Sequence, residues 1–364
     1  MQKTLMVGLN EKDMNAVVRT YNLNDFYYPT LFPLKETTTL SWKMLEGQSG
    51  LRIAADLVAR GASIPRKTRE AISRIQGDIP KIAISREKHE DELTEYDIMI
   101  AMASNNPDLK AIVEFWAEDT KYCWDGVAAK LEWMALQQIS LGKIKVDNTN
   151  NSSVITEFDV DYSLNATTQK GGVNTVWTGT TGKPFSKDFP TVVSNFRKNG
   201  IYLKYAFMNM DTFVALASQD ETIKMCASYI ANLANATQIP SLAEVNSAMS
   251  RKPNLYGLQI IVIDQKITME LADGSRSTVN PFADNVVSFS ESMVLGATYW
   301  KRPIDMNMQS VALKTMNGHT MIKKYSNEEP VQEVTMGIAN AFPAWNLAGR
   351  SYLMQVNNTS WNIN

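Results

Sequence analysis

Residues 106–162 carry one amphipathic helical pattern that runs directly into a strand–turn–strand pattern. Asn106-Pro107-Asp108 has the form of a helix start: an N-cap Asn, Pro at the first helical position, and an acid at the positive end of the dipole. The spacing continues to about Ile139, and Gly142 supplies a C-terminal stop, so a helix is predicted over 107–140. At about 1.5 Å per residue this is a rod of roughly 50 Å, about three times an average globular helix. Rods of that length serve coiled coils, bundles, or long flat subunits that tile with others.

The faces of the helix choose among these. Leu109, Ile112, Trp116, Cys123, Val127, Leu131 and Met134 recur at spacings of three or four, and Thr120 fills one gap. Glu114, Glu118, Lys121, Asp125, Lys130 and Glu132 lie mostly elsewhere. One apolar stripe with a polar back is the pattern of a helix lying against a sheet or hairpin. Strict heptads are missing, which argues against a coiled coil. Phe115, Trp124 and Trp133 fall off the stripe, as core aromatics of a broad interface or as contacts to a neighbouring subunit.

A chain of 364 residues exceeds one ordinary core and predicts two or so lobes. Its net charge of -2 argues against a dedicated nucleic-acid binder, though not against a protein that merely encloses nucleic acid. No apolar run reaches the length of a membrane span, and the start MQKTLMVGLNEKDMN lacks a signal-peptide core, so cytoplasmic synthesis is expected. Cys123 and Cys226 have no motif spacing and are predicted to be reduced packing residues. The only two histidines, His89 and His319, have no partners nearby for base or metal chemistry, and TGTTGKPF has the wrong spacing for a phosphate loop. Asp159 and Asp161 alternate as solvent-facing strand residues. No catalytic, cofactor-binding or metal-ligating set is expected.

Along the chain, a short helix is predicted around 10–21, followed by the extended DFYYPTLFPLKE. Strands are expected over 37–45, 51–57 and 81–85, the last leading into a very acidic helical stretch. After the long helix, 143–146 and 154–161 form a hairpin. The Thr-, Gly- and Asn-rich segment 163–185 is expected to be a mobile loop. Helices follow near 189–199, 210–218 and 221–234, and another begins at Ser241. Strands are expected at 202–208, 259–262, 266–271 and 292–295. Asp273-Gly274 and Asn317-Gly318 are tight-turn signals, and RSYLMQV returns as a closing strand.

One charge pattern is larger in scale. Arg52, Arg60, Arg66, Lys67, Arg69 and Arg74 form a basic stretch, and Glu87, Glu90, Asp91, Glu92, Glu95 and Asp97 form an acidic one, with Arg86 and Lys88 interspersed. Either both runs are ordinary solvated surface, or the basic loop of one subunit reaches the acidic surface of the next. The candidate inter-subunit contacts are therefore Arg60, Arg66, Lys67, Arg69, Arg74, Glu87, Glu90, Asp91, Glu92 and Glu95.

This order of elements resembles the major capsid proteins of tailed phages, in particular the phage lambda coat protein-like family, the major capsid protein E family. The residues that carry the resemblance are the long helix running into Leu141-Gly142-Lys143-Ile144-Lys145-Val146 and Ile155–Tyr162. To these add Met293-Val294-Leu295-Gly296-Ala297-Thr298, and Phe342-Pro343-Ala344 followed by Arg350–Val356. The resemblance implies an α+β, Hong Kong 97-like capsid fold. Its parts would be an N-terminal arm (1–35), an extension loop (36–80), a peripheral domain with the spine helix (81–187), an axial domain (188–308) and a C-terminal hairpin and return strand (309–364). It also implies self-assembly into hexamers and pentamers of an icosahedral virion shell around double-stranded DNA. A separate scaffold, a portal and a decoration protein are the implied partners, with no membrane and no cofactor. A cellular nanocompartment shell of the same fold and a soluble α/β enzyme are the alternative readings; the shortage of His and of any motif weighs against the enzyme.

Overall fold

The structure is a computed structural model and describes residues 4–5, 9–47, 72–102, 109–147, 149–151, 158–230, 238–255, 257–270, 274–310 and 312–363. Helices α1 (Glu11–Val18) and α2 (Tyr28–Leu31) and strand β1 (Leu34–Glu36) precede β2 (Ser41–Gly47), β3 (Ile72–Asp78) and β4 (Lys81–His89). Helix α3 (Glu90–Met102) and the spine helix α4 (Leu109–Leu141) are followed by β5 (Lys143–Val146), β6 (Phe158–Asp161) and β7 (Lys170–Gly172). Next come α5 (Phe189–Lys198), β8 (Tyr205–Asn209), α6 (Met210–Ala217), α7 (Asp220–Ile230), α8 (Leu242–Met249) and β9 (Gln259–Ile263). Strands β10 (Ile267–Glu270), β11 (Arg276–Val279), β12 (Val286–Ser290) and β13 (Ala297–Lys301) follow. The remaining strands are β14 (Leu313–Asn317), β15 (Thr320–Glu328), β16 (Val331–Ala344) and β17 (Tyr352–Gln355).

The predicted spine helix is present over 33 residues. Its expected start, Asn106-Pro107-Asp108, lies outside the described residues. Its end is set as the sequence indicates: Gly142 takes φ 77°, and its N–H closes on the Gln138 carbonyl at 2.8 Å.

The chain divides into two compact units. The first comprises Met1–Trp42, Gly77–Met134 and Ala297–Ala344. Its six-stranded sheet has the order β1-β13-β16-β15-β14, with β4 also paired to β16. The 14-residue β16 is the organising strand, antiparallel to β15 over residues 331–338 and to β4 over 332–340. On the spine, Trp116, Cys123, Val127, Leu131 and Met134 are buried, as the stripe predicts; the side chains of Leu109 and Ile112 lie outside those described. The Cys123 thiol donates to the Thr335 carbonyl of β16 at 3.4 Å. Beside it, a Cβ on Gly337 would stand 2.5 Å from the Cys123 carbonyl oxygen, so only glycine permits this close helix–sheet approach. Trp124 and Trp133 are buried within the single chain, and Phe115 stacks on Tyr96 of α3, with centroids 5.1 Å apart. Trp124 and Trp133 fit the core reading of the off-stripe aromatics, and Phe115 is half-buried at the edge of that core.

The second unit comprises Lys43–Gln76, Ala135–Gly296 and Trp345–Asn364. Its five-stranded sheet has the order β7-β17-β12-β8-β9, in which β8 and β9 are parallel. Helices α5 to α8 supply an apolar core with Phe185, Phe189, Val193, Phe213, Val245 and Phe289. Phe189 meets Phe289 edge-on, with centroids 5.1 Å apart. Strands β5 and β6 form the predicted hairpin, and β10 and β11 pair around the expected turn.

Four expectations are corrected. The segment 25–36 is not extended throughout, since Tyr28–Leu31 form α2 with Pro29 in its first turn. Segment 163–185 is not a loose loop: it contains β7 and buries Leu164, Val173, Trp177 and Phe185. The C-terminal segment holds it, since Val173 and Trp177 donate to the carbonyls of Asn358 and Val356. Residues 292–295 are not a strand but the link between β12 and β13. There Ser290 and Ser292 hydroxyls accept the N–H groups of Ser292 and Val294, which competes with ladder pairing. Finally, Glu87 and His89 lie on β4 instead of the acidic helix, because pairing with β16 continues through His89.

Candidate inter-subunit site

Among the described residues there is no group of three His, Cys, Asp or Glu that could hold a metal ion, and no helix long and apolar enough to cross a membrane. Both cysteines are buried free thiols, and burial pushes Cys123 up to about 12 and Cys226 up to about 11. His319 is fully buried, with Nε2 3.2 Å from the Tyr28 hydroxyl, while His89 ends a strand in the open. What the first unit presents outward is charge.

The acidic run occupies the junction between β4 and α3. Along β4, Arg86 and Lys88 share one face, and Glu87 projects from the other. Glu90, Asp91 and Glu92 fill the first turn of α3, where the helix dipole favours anions, and Glu95 follows one turn later. Glu92 accepts the His89 N–H at 3.1 Å and so caps the helix. Glu87, Glu90, Asp91 and Glu95 are all exposed and make no salt bridge among the described residues. They form a negative shoulder without a counter-ion among the described residues.

The interspersed cations behave differently. Arg86 reaches Glu118 at 2.9 Å and Asp119 at 3.4 Å, and Lys88 reaches Asp119 at 3.1 Å. Lys88 and Asp119 are buried, and the Lys88 ammonium sits 4.2 Å from the Phe115 ring centroid. These pairs lock β4 to the spine helix and leave the shoulder net acidic. Further along the same sheet, Lys324 and Glu333 form a fully buried pair at 3.9 Å; Lys324 donates to the Thr335 hydroxyl at 2.9 Å. Desolvation pushes the Lys324 ammonium below the ordinary lysine range, and Glu333 opposes that shift. The Glu333 carboxylate also accepts the Thr4 hydroxyl at 2.6 Å and the Leu5 N–H at 3.0 Å. Sequence reading missed this network, because a Lys and a Glu nine positions apart on consecutive strands look like solvated charges.

Of the basic partners, Arg60, Arg66, Lys67 and Arg69 lie outside the described residues, and Arg74 falls on β3. Of the predicted contact residues, the described side chains are therefore the acidic ones.

A long helix laid on a mostly antiparallel sheet, a second sheet-centred unit and an exposed acidic shoulder are the features the comparisons with known proteins have to fit. The chain belongs to the phage major capsid protein E family, whose profile matches residues 14–349. It is a shell-forming major head protein, and its place is the virion capsid. The fold is similar to that of a phage-related protein from Bordetella bronchiseptica RB50, with 14% identity, a TM-score of 0.56, and coverage of 94% of this chain and 96% of that one. It is equally similar to the capsid protein of a prophage of E. coli CFT073, with 12% identity, a TM-score of 0.56, and coverage of 96% and 99%. The Hong Kong 97-like capsid fold thus spans nearly the whole chain. No curated protein matches it in sequence.

Proposed function

We propose that the shell is an icosahedral array of hexamers and pentamers that encloses double-stranded DNA without reading its sequence, assembled in the cytoplasm of a bacterial host. A separate scaffold, a portal and a decoration protein are its proposed partners. In this reading residues 1–35 are the arm, 36–80 the extension loop, 81–187 the peripheral domain, 188–308 the axial domain, and 309–364 the returning C-terminal segment. A near-neutral chain suits a container for packaged DNA, since a strongly basic lining would grip phosphates along their whole length.

The observation that carries the assembly scheme is the acidic shoulder of Glu87, Glu90, Asp91 and Glu95, exposed and without an ion pair among the described residues. The extension loop carries the matching cations Arg60, Arg66, Lys67, Arg69 and Arg74. Complementary patches steer encounter and fix register between neighbours, even where they add little affinity. Reversing Arg66, Lys67 and Arg69 to Glu should abolish shells in electron micrographs while the unfolding midpoint stays at the wild-type value. Reversing Glu87, Glu90 and Asp91 to Lys in the same chain should bring shells back. Normal shells from the first variant would remove the charge-pairing scheme, and a wild-type protein that never forms shells would remove the container itself.

A further inference from the structure

The second unit carries opposite charges at opposite ends of one parallel strand pair. Strands β8 and β9 run side by side in register, Tyr205 opposite Gln259 and Asn209 opposite Ile263. Their N-terminal ends are entered by two adjacent loops, joined where the Gln259 N–H donates to the Lys204 carbonyl at 2.8 Å. Each loop begins with an Arg-Lys pair: Arg197-Lys198 at the end of α5 and Arg251-Lys252 just after α8. With Lys204 this rim holds five cations, and neither 195–204 nor 250–259 contains an acid. Arg197, Lys198, Lys204 and Arg251 are exposed, Lys252 is half-buried, and Tyr202 between them is 62% exposed. The one acid just beyond β12 at this end, Glu291, is already engaged by Arg350 at 2.9 Å.

At the other end of the same strands the sign reverses. Asp211 follows β8, Asp264 follows β9 and Asp284 precedes β12, and all three are exposed. Asn209, Asp211, Asp264, Gln265 and Asn280 line a cleft of about 180 Å³, where Lys266 is the single cation. Asp284 accepts the side-chain amides of Asn209 and Asn280, two residues that line the cleft.

Five strand residues separate the rims by roughly 17 Å. That is about twice the Debye length of ~8 Å at physiological ionic strength, so the rims do not neutralise each other within one subunit. A basic rim alone would fit any polyanion. A basic rim with an acidic cleft at the far end of the same strands fits a partner that presents both, which is another copy of this chain. We infer that copies dock head to tail through these rims, Arg197, Lys198, Lys204, Arg251 and Lys252 of one subunit seating on Asp211, Asp264 and Asp284 of the next. Such a contact is heterologous, and it closes into a ring where the rotation between neighbours divides a full turn. The inference rests on the shell-forming role of the chain and adds a second charged contact, on different residues from the acidic shoulder of the first unit.

The test is a charge swap in the full chain, read by sedimentation velocity and by the thermal unfolding midpoint. Arg197→Glu with Lys198→Glu and Arg251→Glu, and separately Asp211→Lys with Asp264→Lys, should each lower the assembled fraction on the order of tenfold at a wild-type midpoint. The variant carrying all five changes should recover assembly, because its rims match again with signs exchanged. If a reversal unfolds the chain, the neutral set Arg197→Gln, Lys198→Gln and Arg251→Gln replaces it, and should flatten the salt dependence of assembly. A folded five-change variant as defective as its parents overturns the proposal. So does a basic-rim variant that assembles normally but no longer retains a random-sequence DNA duplex, which would make the rim a phosphate site. A wild-type chain that stays monomeric fails the shell reading itself, and is told apart by that control.

Discussion

The two units treat charge in opposite ways. The first buries it: Lys88, Asp119, Glu132, Lys324 and Glu333 are all under 6% exposed, set between the spine helix, the arm and the six-stranded sheet. The second builds its core from aromatic and aliphatic side chains, and each of its described Lys and Arg side chains is exposed or half-buried. Apolar cores tolerate small slips, because dispersion and area burial have no preferred partner atoms. Buried charges do not, since each must meet its counterpart or carry the full desolvation penalty. The first unit therefore fixes how helix, arm and sheet register through buried charge, and the second keeps its cations at or near the surface.

That contrast breaks most sharply at Lys324. Lys324→Met leaves Glu333 buried without its cation and should cost about 3–5 kcal/mol in denaturant unfolding. Adding Glu333→Leu removes the stranded charge and should recover most of the loss, except what Thr4 and Leu5 contribute by donating to that carboxylate. A single-variant loss below about 1 kcal/mol would mean that the network is wet and that the contrast between the units is superficial.

Glu132 makes the contrast depend on pH. Its carboxylate accepts the Tyr27 N–H at 3.0 Å and the Tyr28 N–H at 2.7 Å, pinning the arm to the spine. Burial outweighs those two bonds and raises the group from 4.5 to about 7. A raised carboxylate means that the folded state holds the extra proton between those values. Its contribution is full below pH 4.5 and is lost as pH rises to 7, by about 3 kcal/mol. His319, lowered by burial from 6.5 to about 4, has the opposite slope between those values and masks the effect in the wild type. The Glu132→Gln variant should therefore gain on the wild type steadily from pH 4.5 to 7. A constant difference across that range would show that Glu132 does not titrate there.

A smaller effect belongs to packing. Gly337→Val pushes a side chain against the Cys123 backbone and should cost about 1–3 kcal/mol, read as a lower midpoint at an unchanged denaturant slope.

What could be read in advance follows the same division. The spine helix, its stop at Gly142 and the β5–β6 hairpin were legible because they rest on local periodicity and turn chemistry. The capsid fold was legible through the order of such elements. Strand β16 was not: its residues are buried on both faces along most of its length, so the alternation that marks a half-buried strand is missing. Nor was the packing of 163–185, where Val173, Trp177 and Phe185 are scattered among Thr and Gly and are held by a segment about 180 residues later. At the candidate site the acidic shoulder was legible as composition. The pairing of Arg86 and Lys88 with Glu118 and Asp119 was not, since it joins a strand and a helix separated by some 30 residues. The rims of β8 and β9 escaped for a similar reason: only the parallel register brings two Arg-Lys pairs together.

The mildest change tests whether burial, and not charge itself, separates the two units. Lys121 and Asp125 form an i,i+4 pair at 2.7 Å on the solvent side of the spine, with side chains 59% and 42% exposed. It has better geometry than Lys324–Glu333 and lies on an element of the same unit, but water screens it and both side chains lose entropy to form it. It also runs in the less favourable order, with the cation N-terminal to the anion, against the helix dipole. Lys121→Ala should change stability by no more than about 0.5 kcal/mol, several-fold less than Lys324→Met, although the bond removed is more than 1 Å shorter. If the two losses in denaturant unfolding came out equal, distance would govern these pairs, and the buried network would lose its claim to set the register of helix and sheet.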